Sequence, residues 1–354
     1  MNKISTFLVS IVALTQLFSC SPASPKLKPL PVVINEKVEN KNNEVFRRPT
    51  VDILLVVDDS RSMSTHQTNL SNNVDTFVNE FSKLKLIDYH IGVLSSSMES
   101  YYSAQNGKLQ DPSGLLGNSP YVTANTPNGL GILRRNIKLG TNGSATEAFF
   151  DPVYFALSPP LINTFNKGFY REDAYLIIIF ITDAEEQSTY SNPRSFMDFL
   201  LTLKKNNKNK ILSYGAIIPS GYPGSNGWNS TCPRDQSTEP KKMESFLSMT
   251  VNAGKNIVAL CDSNFGAKLV EFSKEIVNTV NKPIILKQVP VVSTIKVKFG
   301  TQIIPSDYDK GWYYDPVQNA IMFGENLYLD ESQPDDAKLD VSFDAVQLPG
   351  AKNK

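Results

Sequence analysis

Two stretches of this chain end in the same unusual way. "VDILLVVDD" at 51–59 and "AYLIIIFITD" at 174–183 are apolar almost throughout and close on aspartate. An apolar run of this length without polar alternation marks a strand covered on both faces, with helices packed above and below a mostly parallel sheet. A turn leaving such a strand normally carries Gly, Asn or Pro. Here the first run continues as "DDSRSM", which is acid, acid, hydroxyl, base, hydroxyl. In an open α/β sheet, ligands bind beyond the carboxyl ends of the strands, where the strand order reverses. If the two runs flank that reversal, Asp58 and Asp183 converge on one spot.

The rest of the chain alternates accordingly. Leu70, Val74, Phe77, Phe81 and Leu84 recur at helical spacing, "DYHIGVLSS" at 88–96 reads as a strand, and 97–130 is rich in Ser, Asn, Gly, Pro and Tyr. "ILRRNIKLG" at 132–140 is expected as an edge strand, and "TEAFFDPVYFALS" at 146–158 as a helix with Pro152 in its first turn. The helix "PRSFMDFLLTLKK" and the strand "ILSYGAIIP" precede a Gly/Ser/Trp-rich insertion. The helix "EPKKMESFLSMTVNAG", the strand "NIVALCD" and the helix "FGAKLVEFSKEIVNTV" follow, with "KPIILK" as the last strand of the unit. This alternation predicts a doubly wound, mostly parallel α/β sheet over 51–288. From about 290 the period drops to two in "STIKVKFG", "TQIIP", "GWYYD", "NAIMFG", "NLYLD" and "KLDVSFDAV". That pattern predicts a small all-β domain over 289–350.

Asp58, Ser60 and Ser62 stand at i, i+2 and i+4 of one loop, so three short oxygen-bearing side chains can curl around one centre. Two neutral hydroxyls with a few carboxylates suit a hard divalent cation. A dinucleotide site needs glycines at this turn, and "DDSRSM" has none. Receiver-type domains also carry paired acids after their first strand, but they lack the Ser-x-Ser-Met continuation. Asp58-x-Ser60-x-Ser62 behind an apolar strand, joined in this order to "IIFITD" ending at Asp183, resembles the von Willebrand factor A (VWA) domain over about residues 50–288. In that family these residues build a metal-ion-dependent adhesion site (MIDAS).

The resemblance implies that Asp58, Ser60 and Ser62 are first-loop ligands, that Asp183 acts mostly through water, and that a second loop supplies a threonine. "GTNGSATE" offers Thr141 and Thr146 with Ser144 between them; Thr146, just before the helix, is the choice. The implied cofactor is a divalent cation, magnesium first, with calcium or manganese as alternatives. The implied partner is a protein or glycan ligand presenting a carboxylate. Asp59 departs from the family pattern, and Glu185 with Glu186 adds further negative charge nearby, which weighs toward calcium or a second ion.

The amino-terminal segment sets an address. "MNKISTFLVSIVALTQLFSC" has a short basic start and an apolar core that is too short, and too soon broken by "SCSPASPK", to be a membrane span. Leu17-Phe18-Ser19-Cys20 resembles a bacterial lipobox, which implies removal of residues 1–19, acylation of Cys20 and lipid anchoring in the bacterial cell envelope. Ser21 resembles the signal for the outer membrane in a cell with two membranes. Residues 20–50, proline-rich and then polar, read as a tether. Without Cys20 the chain keeps Cys232 and Cys261, an even pair in a compartment that permits disulfides, so a bridge is expected.

Composition narrows the function classes. With 35 basic and 35 acidic side chains the net charge is zero, which removes the electrostatic basis for nucleic-acid capture. Of the two histidines, His66 lies near the acidic loop and reads as a solvated helix residue rather than a general base. No catalytic residue and no enzyme activity are expected. The reading is a lipid-anchored, cation-dependent adhesin, with a structural or assembly scaffold of the envelope as its rival. Tyr101, Tyr102, Tyr121, Tyr222 and Trp228 either meet the partner or pin long loops to the domain.

Overall fold

Every residue from Val51 to Val57 is buried, so this strand needs a layer on each side. The computed structural model supplies both. It describes Lys37–Val38 and residues 50–346 apart from positions 65, 67–72, 74, 77–78, 80–86, 100–104, 118–119, 226–230, 236–237, 263–264, 281–282, 325–326, 328, 331–332, 334–336 and 338. After β1 (Lys37–Val38), the strands β2 (Thr50–Val57), β3 (Asp88–Ser95), β4 (Val122–Thr123), β5 (Tyr175–Ile181), β6 (Ile211–Ile217) and β7 (Ile257–Ala259) form one sheet in the order β4-β3-β2-β5-β6-β7. All neighbours are parallel except β4, which runs antiparallel to β3. The chain leaves β2 for β3 on one side and returns to β5 on the other, so the strand order reverses between β2 and β5. This is the doubly wound, mostly parallel α/β fold expected from the sequence.

Helices α1 (Gly129–Asn136), α2 (Phe150–Ala156), α3 (Pro193–Leu203), α4 (Lys241–Leu247) and α5 (Phe265–Val280) cover the two faces. Pro152 falls in the first turn of α2, where a missing N–H costs no helix bond. Helix α3 starts on a capping box, with Asn192 Oδ1 accepting from the N–H groups of Arg194 and Ser195 at 3.0 Å and Pro193 opening the first turn. On one face Phe150 stacks on Phe196 with centroids 4.6 Å apart, and both rings lie in a core with Leu54, Ile178, Phe180 and Phe246. On the other face Ile132, Leu133, Phe272 and Ile276 pack with Ile53, Leu55, Ile177 and Ile179. At the start of β2, buried Asp52 is met by Arg171, whose Nε donates to Oδ1 at 2.8 Å, so the carboxylate is paired where water cannot reach it.

Several elements differ from expectation. Residues 132–140 do not form an edge strand. Their buried members are Ile132, Leu133, Asn136 and Ile137, pairs repeating every four residues, and residues 132–136 belong to α1. The edge position belongs instead to β4, inside the long polar segment. "KPIILK" yields β8 (Ile284–Ile285), which pairs antiparallel with β12 (Ala320–Phe323) and not with the parallel sheet. A boundary at 288 therefore falls behind a strand that belongs to the C-terminal part.

That part holds two antiparallel sheets, β1-β13-β9-β10 and β11-β12-β8, with β9 at Lys296–Phe299, β10 at Gln302–Ile304, β11 at Trp312–Asp315 and β13 at Leu339–Asp344. Val297, Phe299, Trp312, Ile321, Leu339 and Phe343 form their core. In "NLYLD", Leu327 and Leu329 are buried without joining a strand. The expected tether contributes β1, whose Lys37 and Val38 pair with Asp344 and Phe343. The signal segment with Cys20, the apolar stripe from Leu70 to Leu84, Tyr101, Tyr102 and Trp228 lie outside the described residues.

Phe150 is the packing centre of the three-helix face, so Phe150→Ala is expected to cost about 3–5 kcal/mol in urea unfolding. Tyr308→Ala, at a ring 76% exposed, is expected to stay within about 0.5 kcal/mol. Equal losses for the two variants count against this packing.

Candidate functional site

The register of β2 and β5 builds the site. Val57 pairs with Ile181 at the last rung, and the Asp58 N–H donates to Ile181 O at 2.9 Å. Asp58 and Thr182 thus start side by side, and Thr182 Oγ1 donates to Asp58 Oδ2 at 2.7 Å. The other carboxylate oxygen, Oδ1, accepts from the Ser60 N–H at 2.9 Å, an Asx-type closure that curls the loop back over its first residue. Met63, fully buried, fastens the far side of that loop to the core. Within the curl, Ser60 Oγ and Ser62 Oγ are 2.9 Å apart, and Ser62 Oγ donates to Asp183 Oδ1 at 2.9 Å. A single polar chain thus runs from Asp58 through two hydroxyls to Asp183. The structure brings together Asp58, Ser60, Ser62 and Asp183, four of the five residues that the sequence assigned to a cation.

The fifth, Thr146, shares no hydrogen bond with them and does not line the cleft beside them. Its side chain is exposed, and its N–H donates to Ser144 Oγ at 2.9 Å. Neither Ser144 nor Thr141 lines the cleft. The second loop instead presents Glu147, which is 1% exposed and forms part of the wall of a cleft of about 480 Å³ together with Ser60, Ser62, Asp183 and Asp235. The loop is held close to the first one: Gly143 N–H donates to Asp59 O at 2.6 Å, and a Cβ on Gly143 would stand 2.2 Å from Asp59 Oδ1. Only glycine fits there.

The additional acids have other tasks. Asp59 accepts from the hydroxyls of Ser95 at 2.8 Å and Ser97 at 2.9 Å, which ties the first loop to the end of β3. Glu186 Oε2 accepts from the N–H groups of Phe149 and Phe150 at 2.8 and 3.1 Å, at the start of α2. Glu185 accepts from the N–H of Lys242 at 3.0 and 3.1 Å, at the start of α4. Both glutamates cap helix amino termini, where unpaired N–H groups favour an anion. The acids that line the cleft beside Asp183 are Glu147 and Asp235, with Arg61 and Arg234 also on its wall. Neither acid was singled out from the sequence. Glu147 directly follows the chosen threonine, and Asp235 gives no local signal beyond its distance from Cys232.

Asp235 arrives on a limb fixed by the Cys232–Cys261 disulfide, with an S–S distance of 2.07 Å and a sequence separation of 29. Closing a loop of that size stabilises the fold by about 3 kcal/mol. The Asp235 N–H donates to Asp183 O at 3.2 Å, and buried Arg234 donates from Nη2 to Pro219 O at 2.6 Å. His66 is buried, not solvated. Its Nε2 lies 2.9 Å from Pro233 O, so that nitrogen carries the proton, and burial lowers its pKa. Tyr121 stacks near His90 at 4.7 Å and Tyr222 Oη donates to Asp262 at 2.8 Å, so both rings pin loops to the domain.

Burial, reinforced by the Asp183 charge, pushes Asp58 up to about 7. Burial and Asp235 push Asp183 to about 7, and burial with Asp58 and Asp235 pushes Glu147 to about 8. The donors are oxygens only, carboxylate and hydroxyl mixed. Among the described residues no group of three or more His, Cys, Asp or Glu side chains forms a metal cage. Adjacent buried carboxylates whose charged forms are disfavoured fit a hard divalent cation, which would hold them ionised.

No family model matches the chain, and no curated protein matches it. Solved structures do. The proximal thread matrix protein 1 from the mussel byssus with a zinc-occupied MIDAS motif aligns with a TM-score of 0.38 and 12% identity, covering 65% of this chain and 48% of that one. The pilus adhesin SpaC from Lactobacillus rhamnosus GG, in its open conformation, gives 0.39 and 13% over 86% of this chain and 40% of that one. A von Willebrand factor type A protein from Catenulispora acidiphila gives 0.38 and 12% over 83% and 57%. The chain spans about half the length of the solved chains it matches.

The raised carboxylates set a pH dependence. Asp58, Asp183 and Glu147 bind protons more tightly folded than unfolded, so without a cation their contribution to stability is full below about pH 4 and is lost as pH rises through 7 to 8. Thermal melts in chelator are expected to give a lower transition at pH 8 than at pH 5, and excess divalent cation at pH 8 is expected to recover the loss. A transition that is higher at pH 8 in chelator contradicts this.

Proposed function

We propose that this chain binds a protein or glycan partner through a divalent cation at the carboxyl edge of its sheet, as a VWA-type adhesion module. The observation that carries this reading is the polar chain Asp58–Ser60–Ser62–Asp183 at the point where the strand order reverses. Asp58 and Asp183 would hold the cation, and the Ser60 and Ser62 hydroxyls would complete its near side. When bound, the cation supplies a concentrated positive charge that attracts a carboxylate of the partner. Magnesium remains our first choice, with calcium or manganese as alternatives.

The chain's own part is positioning. Asp59 and its serines fix the first loop, and the disulfide limb closes the opposite wall. No proton-transfer step is needed for such binding. His66, the histidine nearest the acidic loop, spends its Nε2 proton on Pro233 O, which fits a binding protein better than an enzyme. Among the described residues no helix is long and apolar enough to cross a membrane. We propose that Cys20 carries the lipid anchor that holds the chain in the bacterial envelope, at the outer membrane where two membranes exist.

Capture of an envelope partner by the wild-type protein is expected to require divalent cation and to disappear in chelator. Asp58→Asn, which keeps the side-chain shape, is expected to bind as poorly with cation as the wild type does without it. Equal capture in chelator makes the scaffold reading the better one. For the anchor, Cys20→Ser is expected to move the protein from the detergent phase to the aqueous phase on partitioning. An unchanged partition removes Cys20 from the proposal.

A further inference from the structure

We infer that Glu147, not Thr146, is the second-loop residue that faces the cation. The inference rests on the cation-binding reading above and revises its donor set. Residue 147 makes an isolated antiparallel bridge with Ser97, so the backbone is extended here and adjacent side chains leave on opposite sides. Thr146 points to solvent, which turns Glu147 inward; its side chain is buried and contributes to the cleft wall. There it shares the cleft wall with Ser60, a proposed first-loop ligand.

The carboxylate is also pre-oriented. Gln187 Nε2 donates to Glu147 Oε2 at 2.7 Å, and the Gln187 N–H donates to Glu147 O at 2.9 Å. One oxygen is therefore held by an amide on the loop after β5, in the way that outer partners commonly fix a metal ligand. A threonine offers a neutral oxygen at this place, whereas a glutamate offers an anionic one. Glu147 adds an anionic oxygen to the cleft wall that Asp183 also lines, and affinity for a divalent cation rises with the charge of the donors.

The test is direct cation binding, independent of any partner. Chelator-stripped wild type, Glu147→Gln, Thr146→Ala and Asp58→Asn are titrated with calcium and with magnesium by calorimetry at pH 8. Thermal melts in chelator serve as the folding control. The amide of Glu147→Gln keeps an acceptor for Gln187, and Thr146 is exposed, so both variants are expected to melt no lower than the wild type in chelator. Glu147→Gln is expected to weaken the tighter-binding ion by about tenfold or more, and Thr146→Ala by less than about threefold. Thr146→Ala weakening the ion as much as Glu147→Gln, or more, overturns the assignment. If the wild type takes up neither ion, or Asp58→Asn binds as the wild type does, the cation-site reading itself fails and not merely the identity of its second-loop donor.

Discussion

The site depends on two like-charged groups that the sheet will not let separate. Asp58 and Asp183 follow the last paired rung of β2 and β5, and parallel neighbours sit roughly 4.8 Å apart. Each strand is buried along nearly its whole length, so neither end can swing away without opening the core. The repulsion is therefore built in by the register of apolar residues that never touch the site. Only a proton or a cation relieves it. The serine hydroxyls between the carboxylates add oxygen atoms without adding charge.

Around that pair the protein spends most of its other local acids on architecture. Asp59, Glu185 and Glu186 each accept hydrogen bonds from loop hydroxyls or helix-start N–H groups, and each ties a separate segment to the rim. The result is a first loop braced against β3, a second loop braced against the first, and α2 and α4 begun from the loop after β5. Rigidity of this sort fixes the spacing of the loop oxygens, which would lower the ordering cost of binding the proposed ion.

How much of this was legible in the sequence follows from the kind of signal involved. The central strands announce themselves because burial on both faces demands continuous apolar residues, as in Ile177 to Ile181. The first-loop donors were legible because a short curl with Asp, Ser and Ser has few ways to arrange its oxygens. Residues 132–140 were misread because Arg134 and Arg135 looked like the polar face of an edge strand, while the buried pairs repeat every four residues. Thr146 and Glu147 could not be ranked from sequence, since which of two neighbours faces inward depends on a bridge to Ser97 that is distant in the chain. Similarly, the charge of Glu186 is visible in the sequence, but the helix amino terminus that absorbs it is not.

The short pairing of β1 with β13 has a mechanical consequence. A pull applied ahead of Lys37 would load this two-residue ladder between β1 and β13. A ladder so short is the first element to give way. The six-stranded sheet would meanwhile keep its registers and its grip. Parting of this outer ladder under load would leave the strand ends that carry the site where they are.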